Sequence, residues 1–147
     1  MHQPVPDKFS LYFDGTVVGQ MSYYGVAILD SSGWAIFAKR GSSRCREGSA
    51  PQFGRWVGLG TGLAWLSKWQ EFRPCRFLKL CGDMAVLREL LCYGSPTDFS
   101  AFRTRCLQLL DEVAPNSWAF GKFDDRGVTA TNLVSVAYSD HTGREME

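Results

Sequence analysis

The sequence predicts an α/β domain: a mixed five-stranded sheet flanked by helices, in the order βββαβααβα. Three observations predict it. Residues 9–41 fall into three runs of strand character joined by short turn signals, an antiparallel meander. From Gln52 onward the apolar period lengthens to three and four residues, the spacing of one helical face. After Pro74, strand-like and helix-like segments alternate to the end of the chain, which implies a mixed sheet covered by helices.

Each element has its own justification. Residues 1–8 carry two prolines and read as a loose arm. Phe9, Leu11 and Phe13 alternate with Ser10, Tyr12 and Asp14, the period of a half-buried strand that ends on a carboxylate followed by Gly15. A link of turn character (residues 17–22) leads to a second strand at 23–29. The turn Asp30-Ser31-Ser32-Gly33 then leads to a third at 34–41. Residues 42–51 are polar, basic and loop-like. Trp56, Leu59, Leu63, Leu66 and Trp69 form the helical stripe of residues 52–70. Gly54, Gly58, Gly60 and Gly62 sit within it although glycine costs roughly 1 kcal/mol against alanine in a helix interior. Small residues at that spacing let a helix lie close on a sheet, which accounts for them better than a nucleotide-binding loop that no strand feeds.

A fourth strand is expected at 76–81, and Gly82-Asp83 opens a helix with Met84, Leu87, Leu90 and Leu91 on one face. Gly94-Ser95-Pro96 interrupts the chain, and the capping-type start Ser95-Pro96-Thr97-Asp98 leads a further helix through Phe102, Cys106, Leu109 and Val113. Residues 117–123 read as a short fifth strand. The last helix carries Ala130, Leu133, Val134, Ala137 and Tyr138, with a polar tail from Asp140.

At 147 residues the chain is one domain, with enough apolar content for a single core. A net charge of +1 neither demands nor excludes a nucleic-acid partner, since a neutral total can hide a basic face. Five cysteines without CxxC spacing and two histidines near the ends argue against a zinc site. Their odd number, with no signal sequence ahead of them, leads us to expect reduced thiols and an intracellular, cytoplasmic protein. Cys81, Cys92 and Cys106 fall on apolar faces and are expected in the core. No apolar run reaches the length of a membrane span.

The stretch Tyr12-Phe13-Asp14-Gly15-Thr16, with Gly19 and Gly25-Val26-Ala27-Ile28-Leu29, resembles the opening of the type 1 ribonuclease H family. There a strand ending in Asp-Gly-Ser/Thr leads through a glycine-containing link into the second strand. Leu80-Cys81-Gly82-Asp83 resembles that family's fourth strand, which ends in Asp and runs straight into a helix. The likeness covers roughly residues 9–139 and implies an RNase H-like fold. It also implies cleavage of the RNA strand of RNA–DNA hybrids by two divalent metals, Mg²⁺ or Mn²⁺, held about 3.5–4 Å apart by four acidic side chains. Hard oxygen ligands suit such ions. Asp14 and Asp83 match two of the four and are the metal-ligand candidates. Gly15, Thr16 and Gln52 match positions near the substrate.

At the other two places the chain departs from the pattern. The glutamate of the family's long helix falls on Arg55, and no acidic residue lies between Glu47 and Glu71. Its last aspartate falls on Asn132, although Asp124 or Asp125 could reach the site from the preceding loop. Asp14, Arg55, Asp83 and Asn132 together carry a net −1 where the resemblance implies four negative charges. An arginine stays protonated, so it opposes a second metal by several kcal/mol at an effective dielectric of about 20. One weakly held Mg²⁺ at Asp14/Asp83 stays open. So does a metal-free site in which Arg55 pairs with both carboxylates. Asp83 could instead serve as a helix cap, and Arg55 and Asn132 could face solvent.

The expectation is a domain that keeps the fold, has lost most or all hydrolysis, and works as a nucleic-acid-binding or interaction module. A residual metal-dependent ribonuclease H and a purely protein-interacting subunit are the alternatives. Arg40, Arg44, Arg46 and Arg55 are candidates for a basic strip on RNA–DNA hybrid or another nucleic acid. Trp34, Trp56 and Trp118 are candidate stacking surfaces, with burial in the core as the plainer account.

Overall fold

The computed structural model describes residues 8–69, 77–91 and 99–146. The expected capping start at 95–98, Gly94 and Cys92 lie outside them, as do residues 1–7 of the arm expected at 1–8, whereas Lys8 already belongs to the first strand. Strands β1 (Lys8–Val18), β2 (Met21–Asp30) and β3 (Ala35–Arg44) form the antiparallel meander, followed by α1 (Gln52–Trp69) and β4 (Phe77–Cys81). Helices α2 (Met84–Leu90) and α3 (Ser100–Val113) then lead to β5 (Trp118–Phe120) and α4 (Val128–Thr142), with a 3-10 turn at Asp125–Gly127 between them. The sheet order is β3-β2-β1-β4-β5, with β4 and β5 parallel to β1. The mixed sheet and the element order are those the sequence predicts.

Alternation on β1 sorts the two faces. Leu11 and Phe13 join Trp56, Leu59, Leu63 and Leu66 of α1, with α2 and α3, in the main core. Tyr12 points the other way, into a smaller cluster with Leu29, Cys81 and Ala130 under α4. Cys81 and Cys106 are buried as expected, and so is Trp56, whereas Trp34 is 75% exposed and Trp118 is half-buried. Burial pushes the Cys106 thiol up to about 12, that of an inert core sulfur.

Glycine decides how closely α1 can approach. A Cβ on Gly54 would sit 2.6 Å from the Thr16 carbonyl oxygen and 2.7 Å from that of Tyr23. One on Gly62 would meet Leu11 and Val26 at 2.8 Å. Gly54, Gly58 and Gly62 recur every fourth residue and therefore share the face that lies on β1 and β2. This close contact brings the first turn of α1 over Asp14 and Gly15.

Several boundaries differ from expectation. Asp14 does not end its strand: β1 continues to Val18 because Gly15–Val18 pair with Met21–Tyr24 of β2. What ends near Asp14 is the parallel pairing with β4, whose last partners are Tyr12 and Cys81. The link at 17–22 thus shrinks to Gly19-Gln20, and β3 runs on to Arg44. The fifth strand is shorter than 117–123. α4 extends to Thr142, past the expected tail at Asp140. It closes on Gly143 in the left-handed region (φ 72°), whose N–H donates to the Ser139 carbonyl at 2.8 Å.

Candidate functional site

Where the β1/β4 pairing stops, β1 runs on while the chain leaves β4 for α2, beside an open pocket of about 280 Å³ lined by Phe13, Asp14, Arg55, Gly82, Asp83 and Phe123. Three of the four positions singled out in the sequence meet here: Asp14 from β1, Arg55 from the first turn of α1, and Asp83 ahead of α2. Arg55 points inward. Its Nη1 donates to Asp83 Oδ2 at 3.1 Å, its Nε donates to the Gly15 carbonyl at 3.1 Å, and Nε lies 3.8 Å from Asp14 Oδ1. The three side chains are only 26%, 28% and 29% exposed, for Arg55, Asp83 and Asp14 respectively, so water screens them only in part.

Every carboxylate oxygen of the pair already accepts a protein donor. Asp14 Oδ1 accepts the Gly15 N–H at 2.8 Å, and Oδ2 accepts the Thr131 hydroxyl at 2.9 Å. Asp83 Oδ1 accepts the Val86 N–H at 3.1 Å as the N-cap of α2, and Oδ2 takes Arg55. Asp83 therefore caps a helix and pairs with Arg55 at once.

The contact from α4 comes from Thr131, one residue ahead of the position the resemblance selects; Asn132 is exposed. Gly25 lets this helix come close to the sheet. A Cβ there would strike the Ala130 carbonyl and lie 2.7 Å from Leu133 Cβ, so the glycine lets α4 sit down with Thr131 over Asp14. Neither acidic residue of the preceding loop lines the pocket. Asp124 Oδ1 accepts from the Tyr12 hydroxyl at 2.8 Å and from the Arg126 N–H at 3.1 Å, and Arg126 Nη2 donates to Oδ2 at 2.9 Å; Asp125 is exposed. This clamp on the β5–α4 loop also places Phe123 against Tyr12, ring centroids 5.8 Å apart.

Arg126 first, and the Tyr12 hydroxyl second, hold the Asp124 carboxyl well below its ordinary 3.8. A depressed folded-state pKa means the clamp contributes fully above the unfolded value and loses its contribution as pH falls below it. Asp124→Asn is therefore expected to flatten the acid limb of melting temperature against pH, below about pH 4, relative to wild type. Thermal melts across that range check it.

Of the candidate substrate contacts, Gly15 is buried under α1 and acts through its backbone, donating to Asp14 and accepting Arg55. Thr16 and Gln52 are half-buried at the foot of α1. Arg44 and Arg46 are exposed beside an open cavity of about 880 Å³ that Phe53 and Phe99 also line. Arg40 is drawn elsewhere, its Nε donating to Asp140 Oδ2 at 2.8 Å. Among the described residues no group of three or more His, Cys, Asp or Glu side chains is placed to hold a metal ion. No helix among them is long and apolar enough to cross a membrane.

This arrangement, a β3-β2-β1-β4-β5 sheet with a pocket where β1 and β4 part, defines an RNase H-like fold. Solved structures of the same fold match nearly the whole chain. LC11-RNase H1 in complex with an RNA/DNA hybrid is 14% identical, with a TM-score of 0.76 over 90% of this chain and 98% of that one. RNase H1 of the halophilic archaeon Halobacterium salinarum is 19% identical, with a TM-score of 0.70 over 90% and 98%. The N-terminal RNase H domain of a Mycobacterium tuberculosis protein is 13% identical, with a TM-score of 0.74 over 93% and 99%. No protein-family model and no curated protein sequence matches the chain.

Proposed function

We propose that this RNase H-like domain is a nucleic-acid-binding module that has lost hydrolysis. The observation that carries this reading is Arg55, tied to Asp83 and the Gly15 carbonyl inside the pocket. A two-metal phosphodiesterase needs enough carboxylate charge to offset two divalent cations, one to activate water and one to stabilise the leaving oxygen. Asp14 and Asp83 with a fixed guanidinium between them fit that pair poorly. Hard Mg²⁺ in octahedral geometry would have to displace Thr131 or Arg55, or share their acceptors. Nucleic acid as the partner is supported by the exposed arginines 44 and 46 beside the separate cavity that Phe53 and Phe99 line, and by the hybrid carried by LC11-RNase H1, a protein of the same fold.

A hybrid-cleavage assay in Mg²⁺ and in Mn²⁺ tests the loss of hydrolysis, with no cleavage expected. The second reading, a metal-dependent ribonuclease H, has in its favour that Asp14 and Asp83 line one open pocket. Cleavage that Asp14→Asn abolishes would establish it and sink the first. For the binding face, Arg44→Ala/Arg46→Ala is expected to reduce the slope of log affinity against log salt by about two. Titrations of hybrid, duplex and single strands at several salt concentrations measure this. Failure to bind any of them would favour a purely protein-interacting role.

A further inference from the structure

Donor and acceptor accounting in the pocket leads beyond the loss of cleavage. The four carboxylate oxygens all accept protein hydrogen bonds. Arg55 has hydrogen-bonding capacity left over. A guanidinium carries five N–H donors, and only the Nε–H and one on Nη1 have acceptors among the described residues. The remaining donors belong to a side chain that is about a quarter exposed and lines an open pocket. Each carboxylate has about four lone-pair sites, so Asp14 and Asp83 keep acceptors to spare, but the guanidinium brings unmet donors of fixed positive charge into the same pocket.

We infer that nucleic acid binds this face without divalent cations, with Arg55 offering its spare N–H groups to an oxygen of the sugar–phosphate backbone where metal ions would otherwise stand. The inference rests on the nucleic-acid reading above and specifies how the same pocket would take part in it. Net charge limits the size of the contact. Two carboxylates and one guanidinium leave −1, so the pocket does not attract a strand from a distance. Arg44 and Arg46 supply the long-range attraction, and Arg55 supplies a short-range, charge-assisted hydrogen bond once the strand has docked.

The test is fluorescence anisotropy of a labelled RNA–DNA hybrid with the full chain, in EDTA and in Mg²⁺ at matched ionic strength. Wild type is expected to bind equally in both, within about twofold, or slightly less tightly in Mg²⁺, which competes for phosphates. In EDTA, Arg55→Gln is expected to weaken binding by about tenfold, and Arg55→Lys by less, because it keeps the charge and fewer donors. Circular dichroism confirms that each variant is folded. Wild-type binding that tightens about tenfold or more in Mg²⁺ overturns the inference while the binding module stands. So does a folded Arg55→Gln that binds as tightly as wild type. Absence of hybrid binding by wild type in both buffers overturns the inference, and failure of duplex and single strands to bind as well overturns the nucleic-acid reading with it. Should Arg55→Gln not fold, the wild-type comparison and Arg55→Lys decide the matter.

Discussion

Arg55→Glu is expected to lower stability by about 2–3 kcal/mol in EDTA and to regain much of it in Mg²⁺ or Mn²⁺. The substitution removes the only cation that touches Asp14 and Asp83 among the described residues and puts a third carboxylate between them. Breaking a well-buried ion pair costs about 3–5 kcal/mol, and these groups are a quarter exposed, so a somewhat smaller value applies. In a chain of this length that corresponds to a fall of roughly 5–10 °C in melting temperature. Three converging carboxylates then resemble a hard-cation site. A metal present at about a hundred times its dissociation constant returns about 2.7 kcal/mol. Thermal melts of wild type and variant in both buffers measure this. Wild type should be indifferent to Mg²⁺. A wild-type melting temperature that climbs with Mg²⁺ as the variant's does would mean that Arg55 does not stand in for metal.

The second large effect lies in the packing of α1. Gly54→Ala is expected to destabilise the fold by about 3 kcal/mol, near the upper end for overpacking. The added methyl would press on the Thr16 amide and carbonyl and on the Tyr23 carbonyl, at 2.6–2.7 Å. All three are backbone atoms of paired strands, with no rotamer through which to yield. Relief requires α1 to lift off the sheet, which also carries Arg55 away from Asp83. Denaturant unfolding gives the energy. A coupled loss of the Arg55–Asp83 interaction would appear as non-additivity in the double variant Gly54→Ala/Asp83→Asn.

Much of this architecture is written in local patterns. The alternation on Phe9, Leu11 and Phe13 and the stripe from Trp56 to Trp69 mark core faces because a strand repeats every two residues and a helix every 3.6. Strand ends were less legible. Gly15 and Gly19 look alike as breakers, yet Gly19 turns the chain with φ 63° while Gly15 stays in β1 beneath Gly54. α4 outlasts the expected tail because its last turn needs only its inner face to be apolar. Asp14, Arg55 and Asp83 could be picked out of the chain by resemblance. The Thr131 contact could not, since it depends on how closely α4 settles on the sheet, which Gly25 on the neighbouring strand permits. The Tyr12–Asp124 bond spans 112 residues and leaves no local trace at either end.

The hydrogen bonds of Asp14 and Asp83 change what the presence of these two residues can signify. Each aspartate now has a mechanical job: one ties β1 to α4, and the other starts α2 and anchors Arg55. Either job is reason enough for an aspartate at that position, so the presence of both is no proof of a working nuclease. An acid in place of Arg55 would likewise cost stability before any ion is recruited.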